Sequence, residues 1–125
     1  MNSLKPFKNQ HTFEERLTES NRVINKYPDR IPIVCQRSQN ATRDCPYIDK
    51  IKYLVPRDLT MGQFLYVIRK RMSLPSEKAL FVFVNNSIPP TTQMVGDIYN
   101  RHKDIDGFLY LHYSYENTFG YKNID

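Results

Sequence analysis

The stretch "KIKYLVPRDLTMGQFLYVIRKRM", residues 50–72, decides the fold. Its first residues alternate. Lys50, Lys52 and Leu54 fall on one side and Ile51, Tyr53 and Val55 on the other, the two-residue period of a strand. Beyond Pro56 the period changes. Thr60 followed three residues later by Gln63 forms a capping box, in which each side chain satisfies a free backbone donor at a helix start. Phe64, Val67, Ile68 and Met72 then recur at helical spacing and mark an inward face. A strand therefore runs directly into an amphipathic helix. Upstream, "RIPIVCQ" (30–36) is a second strand rich in branched residues, joined to the first by the long polar connection "RSQNATRDCPYID" (37–49). Two strands so connected predict a hairpin with a long loop.

Working outward, "HTFEERLTESNRVINKYPDR" (11–30) reads as an N-terminal helix. Thr12 and Glu15 form its capping box, Phe13, Leu17, Ser20/Asn21 and Ile24 mark its face, and Pro28 ends it. The leader before it holds Leu4, Pro6 and Phe7, and reads either as a short helix or as a loose arm. Downstream, "ALFVFVN" (79–85) is a continuous apolar strand and "NNSIPP" a turn. "TTQMVGDIYNRH" (91–102) is a shorter helix with Met94, Ile98 and Tyr99 spaced to pack, and "GFLYLHYS" (107–114) is the last strand. A hairpin followed by a helix and further strands predicts an α+β fold. It has one four-stranded mixed sheet with helices across one face and an N-terminal helical extension on the other. That order is the order of a ubiquitin-like β-grasp. The expected organisation is an N-terminal helical part at 1–27, a ubiquitin-like domain at 28–116 and a C-terminal tail at 117–125.

The chain has 125 residues, 40% of them hydrophobic, with seven Phe and nine Tyr, enough for one real core. No segment approaches the ~20 apolar residues of a membrane span. The start "MNSLKPFKNQHTFEER" is too polar for a secretory signal, so the chain is expected to be cytoplasmic. Net charge is +5, which favours acidic partners or anionic surfaces. The basic residues are spread out, and the densest cluster, Arg69-Lys70-Arg71, reads as the cation-rich end of a helix.

The search for chemistry yields little. His11, His102 and His112 have no metal-ligand spacing with one another. Cys35 lies in an apolar run and reads as a core thiol; Cys45 lies in a loop, and no bridge between them is expected. There is no glycine-rich phosphate loop and no G-x-S-x-G. No enzyme, metal or bound cofactor is read here.

Four stretches, "KYPDRIPIVC", "DKIKYLVPRDLTMGQFLYVIRKRM", "EKALFVFVN" and "IYNRHKDIDGFLYLHYSYENTFG", closely resemble the autophagy ubiquitin-like modifiers of the GABARAP family. The resemblance runs from about Phe13 to Gly120. It implies that a cysteine protease cuts after Gly120, preceded by Phe119, and discards Tyr121 to Asp125. It further implies that an activating and a conjugating enzyme pass the exposed carboxylate to phosphatidylethanolamine. A glycine suits this route because a backbone without Cβ threads a narrow channel. A single covalent phospholipid would then place a chain without a span on an autophagosome or vesicle membrane. From position alone, Gly120 reads first as part of a frayed terminus; the surrounding "YSYENTFG", which carries the resemblance, reverses that reading.

The resemblance also implies a peptide site on the 50–56 strand. Read from the residues, Lys50 and Lys52 are either protection of an exposed edge or part of a strand-accepting edge. The family takes the second course, for partners carrying an aromatic-x-x-aliphatic motif with acidic neighbours. Carried over, Glu19, Val23, Pro32, Lys52, Leu54 and Phe108 line the aromatic pocket. Tyr53, Val55, Pro56, Leu59, Phe64 and Val67 line the aliphatic pocket, with Phe64 and Val67 read as core as well. Arg30, Lys50 and Arg71 meet acidic flanks. Phe81, Val82 and Phe83 form a second docking patch at the opposite sheet edge, although an unbroken apolar run reads as a strand buried on both faces. Ile51 stands where a basic residue is usual, the 38–49 loop is longer than usual, and the leader matches weakly. Expected partners are therefore the processing protease, the activating and conjugating enzymes, motif-bearing cargo receptors and autophagy factors, and a membrane, with no nucleic acid. The alternative is a non-conjugated adaptor that uses the same groove for trafficking or cytoskeletal partners.

Overall fold

The computed structural model describes residues 5–117. Both capping boxes form. Thr12 Oγ1 accepts the Glu15 N–H at 3.1 Å and Glu15 Oε1 accepts the Thr12 N–H at 2.8 Å. Thr60 and Gln63 repeat the exchange at 3.2 and 2.9 Å. Each box satisfies two orphan donors and fixes where its helix starts. The elements are α1 (Phe7–Gln10), α2 (Phe13–Lys26), β1 (Arg30–Arg37), β2 (Lys52–Pro56), α3 (Met61–Arg71), β3 (Phe81–Phe83), α4 (Val95–His102) and β4 (Leu109–Ser114).

The four strands form one mixed sheet in the order β2-β1-β4-β3. β1 pairs antiparallel with β2 and parallel with β4, and β3 pairs antiparallel with β4. This is the ubiquitin-like arrangement expected from the sequence. The alternation of β1 separates two cores. Ile31, Ile33 and Cys35 face the main core with Phe64 and Ile68 of α3, Val95 and Ile98 of α4, and Leu109, Leu111 and Tyr113. Val34 faces the other way, into a smaller cluster with Phe7 and Phe108. α3 and α4 thus serve one face of the sheet, and the leader serves the other.

The leader takes the short-helix reading. Phe7 is 2% exposed and packs edge-on against Phe108 at 5.4 Å between ring centroids. A four-residue helix has no stability of its own, so burial of Phe7, worth about 1.5–3 kcal/mol, holds it down.

Three expected inward positions turn outward. Phe13 is exposed, because α2 approaches the sheet through Ser20, which is fully buried and donates to the Asp106 and Leu17 carbonyls. A small residue there permits the close approach. Met94 is exposed because it is the extended cap residue before α4, which packs through Val95, Ile98 and Tyr99. Val67 is exposed because the buried stripe of α3 is Met61, Phe64 and Ile68. The two readings of the 79–85 run are reconciled. β3 is an edge in hydrogen bonding, yet Val82 and Phe83 are buried and Phe81 is half-buried.

Candidate functional site

Among the described residues, β2 is an edge strand with no partner on its outer side. The Cys35 N–H donates to the Ile51 carbonyl at 2.8 Å, so Ile51 turns its main chain toward β1. The antiparallel period of two carries the same orientation to Tyr53 and Val55, opposite Ile33 and Ile31. The main-chain groups of Lys52 and Leu54 therefore face outward. Together they offer a donor and acceptor row to an incoming extended segment.

The residues of the expected aromatic pocket converge beside this edge. Pro32 pairs in register with Leu54, and their side chains share a face. Lys52 Nζ lies 2.8 Å from Glu19 Oε2 on α2 and 5.9 Å from the centre of the Phe7 ring. Phe7 in turn covers Phe108, which is 2% exposed. Val23 lies one turn beyond Glu19 on α2 and is half-buried. Phe7 is the member that motif spacing missed; the signal available was a lone aromatic after Pro6 in the leader.

The expected aliphatic pocket divides into floor and rim. Tyr53 and Phe64 meet edge-on at 5.5 Å and are both buried, so they form the floor. Val55 and Leu59 are half-buried against the core, while Pro56 and Val67 are exposed. Of the flanking cations, Arg30 and Lys50 are exposed. The Lys50 ammonium also lies 5.1 Å from the centre of the Tyr53 ring. Arg71 donates to Asp49 at 3.0 Å, so it must exchange a carboxylate it already has for any incoming one. The Phe81 and Phe83 rings lie 6.5 Å apart at the opposite edge. Phe119 and Gly120 lie outside the described residues.

A buried network that the sequence did not single out ties α2 to the turn before β4. Arg16 donates to Asp106 at 2.6 Å, and Asp106 also accepts the Phe108 N–H at 2.9 Å and the Tyr110 hydroxyl. The Asp106 carboxylate is fully buried. Bonding to Tyr110 is the largest influence holding the Arg16 guanidinium above its ordinary pKa. Gly107 takes a φ of +92°, and a Cβ there would overlap the Ser20 hydroxyl. The readable signal was an Asp-Gly turn immediately before a strand.

The thiols are poor nucleophiles. Burial pushes Cys35 up to about 12 and raises Cys45 as well, and both are free. Among the described residues no three His, Cys, Asp or Glu side chains gather as for a metal ion, and no helix is long and apolar enough to cross a membrane.

A family model described as "Autophagy protein Atg8 ubiquitin like" matches residues 15–120. The chain belongs to the Atg8 family. Its similarity to "Autophagy-related protein 8" of Candida albicans is 57% identity over 116 residues, covering 93% of this chain and 84% of that protein. The Lodderomyces elongisporus protein of the same name is 56% identical over 117 residues, covering 94% and 79%. Among solved structures, Trypanosoma brucei ATG8 superposes with a TM-score of 0.82 at 45% identity, covering 88% of this chain and 93% of that one. Plasmodium falciparum Atg8 in complex with a P. falciparum Atg3 peptide gives 0.82 at 34% identity, covering 90% and 97%. Atg8 proteins are ubiquitin-like, lipid-conjugated modifiers of autophagy and are not themselves enzymes, and this chain is one of them. The curated relatives are yeast Atg8 proteins, so the assignment stands at the family and does not extend to its GABARAP branch.

Proposed function

We propose that the chain is processed between Gly120 and Tyr121 and conjugated through the Gly120 carboxyl to the amine of phosphatidylethanolamine. From the membrane it then recruits proteins carrying an aromatic-x-x-aliphatic motif. The observation that carries this reading is the open edge of β2, with the main chain of Lys52 and Leu54 turned outward between two apolar strips. The family match ending at residue 120 supports Gly120 as the reacting residue.

In this reading the incoming segment adds a strand to β2. Its aromatic residue enters beside Glu19, Pro32, Lys52 and Leu54, and its aliphatic residue lies between Val55, Leu59 and Val67. Arg30, Lys50 and Arg71 meet acidic flanks, each pair worth about 0.2–1 kcal/mol because these groups are exposed, so apolar burial dominates affinity. Phe81 supplies the exposed part of a second docking patch. The partners are a processing protease, an activating enzyme, a conjugating enzyme, cargo receptors and autophagy factors. The Atg3 peptide bound to the Plasmodium Atg8 supports a conjugating-enzyme segment as one occupant. The chain resides in the cytoplasm before lipidation and on the autophagosomal membrane after it. The division at 1–27, 28–116 and 117–125, and a GABARAP-like place within the family, belong to the same reading and rest on the sequence stretches that carry the resemblance.

The test is the intact mass of the protein recovered from its own cells. A species ending at Gly120, with a phospholipid-modified form in the membrane fraction, is expected. Gly120→Ala should remove the modified form. A mass of the full 125 residues alone, even under starvation, overturns the conjugation.

A further inference from the structure

A cavity of about 350 Å³ shares none of the residues assigned to the two pockets beside β2 and meets that strand only at the preceding Ile51. Its walls come from the leader, the end of β1, the 38–49 connection, β4 and the turn at Asn86. The floor is apolar: Ile48 and Tyr113 are buried, and Ile51 is half-buried. The Tyr113 hydroxyl accepts the Ile48 N–H and donates to the Pro46 carbonyl, so it is already satisfied. The rim is polar and of one sign. None of the fourteen lining residues is acidic, whereas Lys5 and Arg37 are cationic and His112 supplies an imidazole.

Among the described residues neither Lys5 nor Arg37 is in an ion pair. Arg37 is held by main-chain carbonyls, from Nε to Cys45 at 2.7 Å and from the second terminal nitrogen to Thr42 at 2.8 Å. Carbonyls fix its geometry but leave its charge uncancelled. Its guanidinium also stacks over Tyr47 at 4.8 Å, so a flat, half-exposed ring stands beside the charge. Gln36 accepts the Phe7 N–H through Oε1, which leaves its amide NH₂ as a donor on the wall. Cations, amide donors and an apolar floor without a carboxylate suit a negative group attached to an apolar body. The volume falls in the lower part of the range for small-molecule sites, about 300–1,000 Å³, and exceeds what a bare inorganic anion fills.

We propose that this cavity binds a small organic anion, its charged group toward Lys5 and Arg37 and its flat apolar body against Tyr47, Ile48 and Ile51. The anion is either a soluble molecule or the headgroup of an anionic lipid, and both present the same chemistry.

The experiment titrates the ¹⁵N-labelled full chain with phenyl phosphate, with benzyl alcohol and with inorganic phosphate. A second arm measures retention on phosphatidylcholine vesicles with and without phosphatidic acid. Phenyl phosphate is expected to shift the amides of Gln36, Ser38, Asn86 and His112 saturably. Benzyl alcohol, which lacks the charge, and inorganic phosphate, which lacks the body, should each bind at least about tenfold more weakly. The double variant Gln39→Glu/Asn40→Asp adds two negative charges to the rim with little change of shape. It should weaken phenyl phosphate at least about tenfold while the rest of the spectrum stays in place. Retention on phosphatidic acid vesicles that the double variant abolishes assigns the anion to a lipid. Phenyl phosphate binding without vesicle retention assigns it to a soluble molecule. Equal binding of benzyl alcohol, no saturable shift below about 10 mM, or indifference to the double variant overturns the proposal.

Discussion

At the scale of single residues, the burial of charge decides what can change. Asp106 is sealed from solvent, and Arg16 is its counter-ion. Removing one partner of such a pair strands the other, so Arg16→Met is expected to cost about 3 kcal/mol in denaturant unfolding. A loss near zero would show that the pair is dispensable to the docking of α2. His112 makes the opposite case. Burial, and secondarily the nearby Lys8 charge, hold its pKa below the ordinary value of 6.5. The unfolded chain takes up a proton that the folded chain resists, so stability declines as pH falls through and below 6.5. His112→Gln should make that decline shallower, measured as unfolding free energy against pH. Asp44 and Asp104, whose pKa values are lowered, lose their contributions as pH falls through the ordinary carboxylate range and on below it, a separate window.

At the scale of elements, the helices and strands were legible where one rule acted alone. Thr12 with Glu15 and Thr60 with Gln63 marked their helix starts because a capping box is a local exchange of bonds. The failures came where tertiary placement ruled. Nothing in the spacing of Phe13, Leu17 and Ser20 says that a serine rather than a phenylalanine makes the closest approach to the sheet. Met94 has helical spacing to Ile98, yet stands one residue before the helix. The β2 strip was readable as an edge only because two lysines lie on one side of it; Phe7 was readable only as a lone aromatic after Pro6, since a four-residue helix has no period and nothing local says that it packs beside Lys52. Phe7→Ala is therefore expected to release α1 and cost about 3 kcal/mol, with faster amide exchange at residues 7–10. Unchanged exchange there would mean that other contacts hold the leader.

At the scale of the whole molecule, the net charge of +5 invites an electrostatic account of partner binding. The structure argues against a large one. Lys52 and Arg71 already have carboxylate partners, and their side chains are 49% and 41% exposed. A peptide with an aromatic-x-x-aliphatic motif and one acidic flank should therefore weaken by less than about threefold between 0.1 and 0.5 M salt, by titration calorimetry. A steeper dependence would move the weight of binding from the apolar strips to the cations. Leu54→Ala should cost more than Lys50→Ala in the same assay.

The strand made last stands in the middle of the sheet. Until β4 emerges, β1 has a strand partner on one side only and β3 has none among the described residues. Ile33 waits for Leu109, across most of the chain. A growing polypeptide of this design cannot settle its first half ahead of its second. It must reach the final tyrosines and serine of β4 before cooperative closure begins, and up to that moment it depends on whatever shields nascent chains.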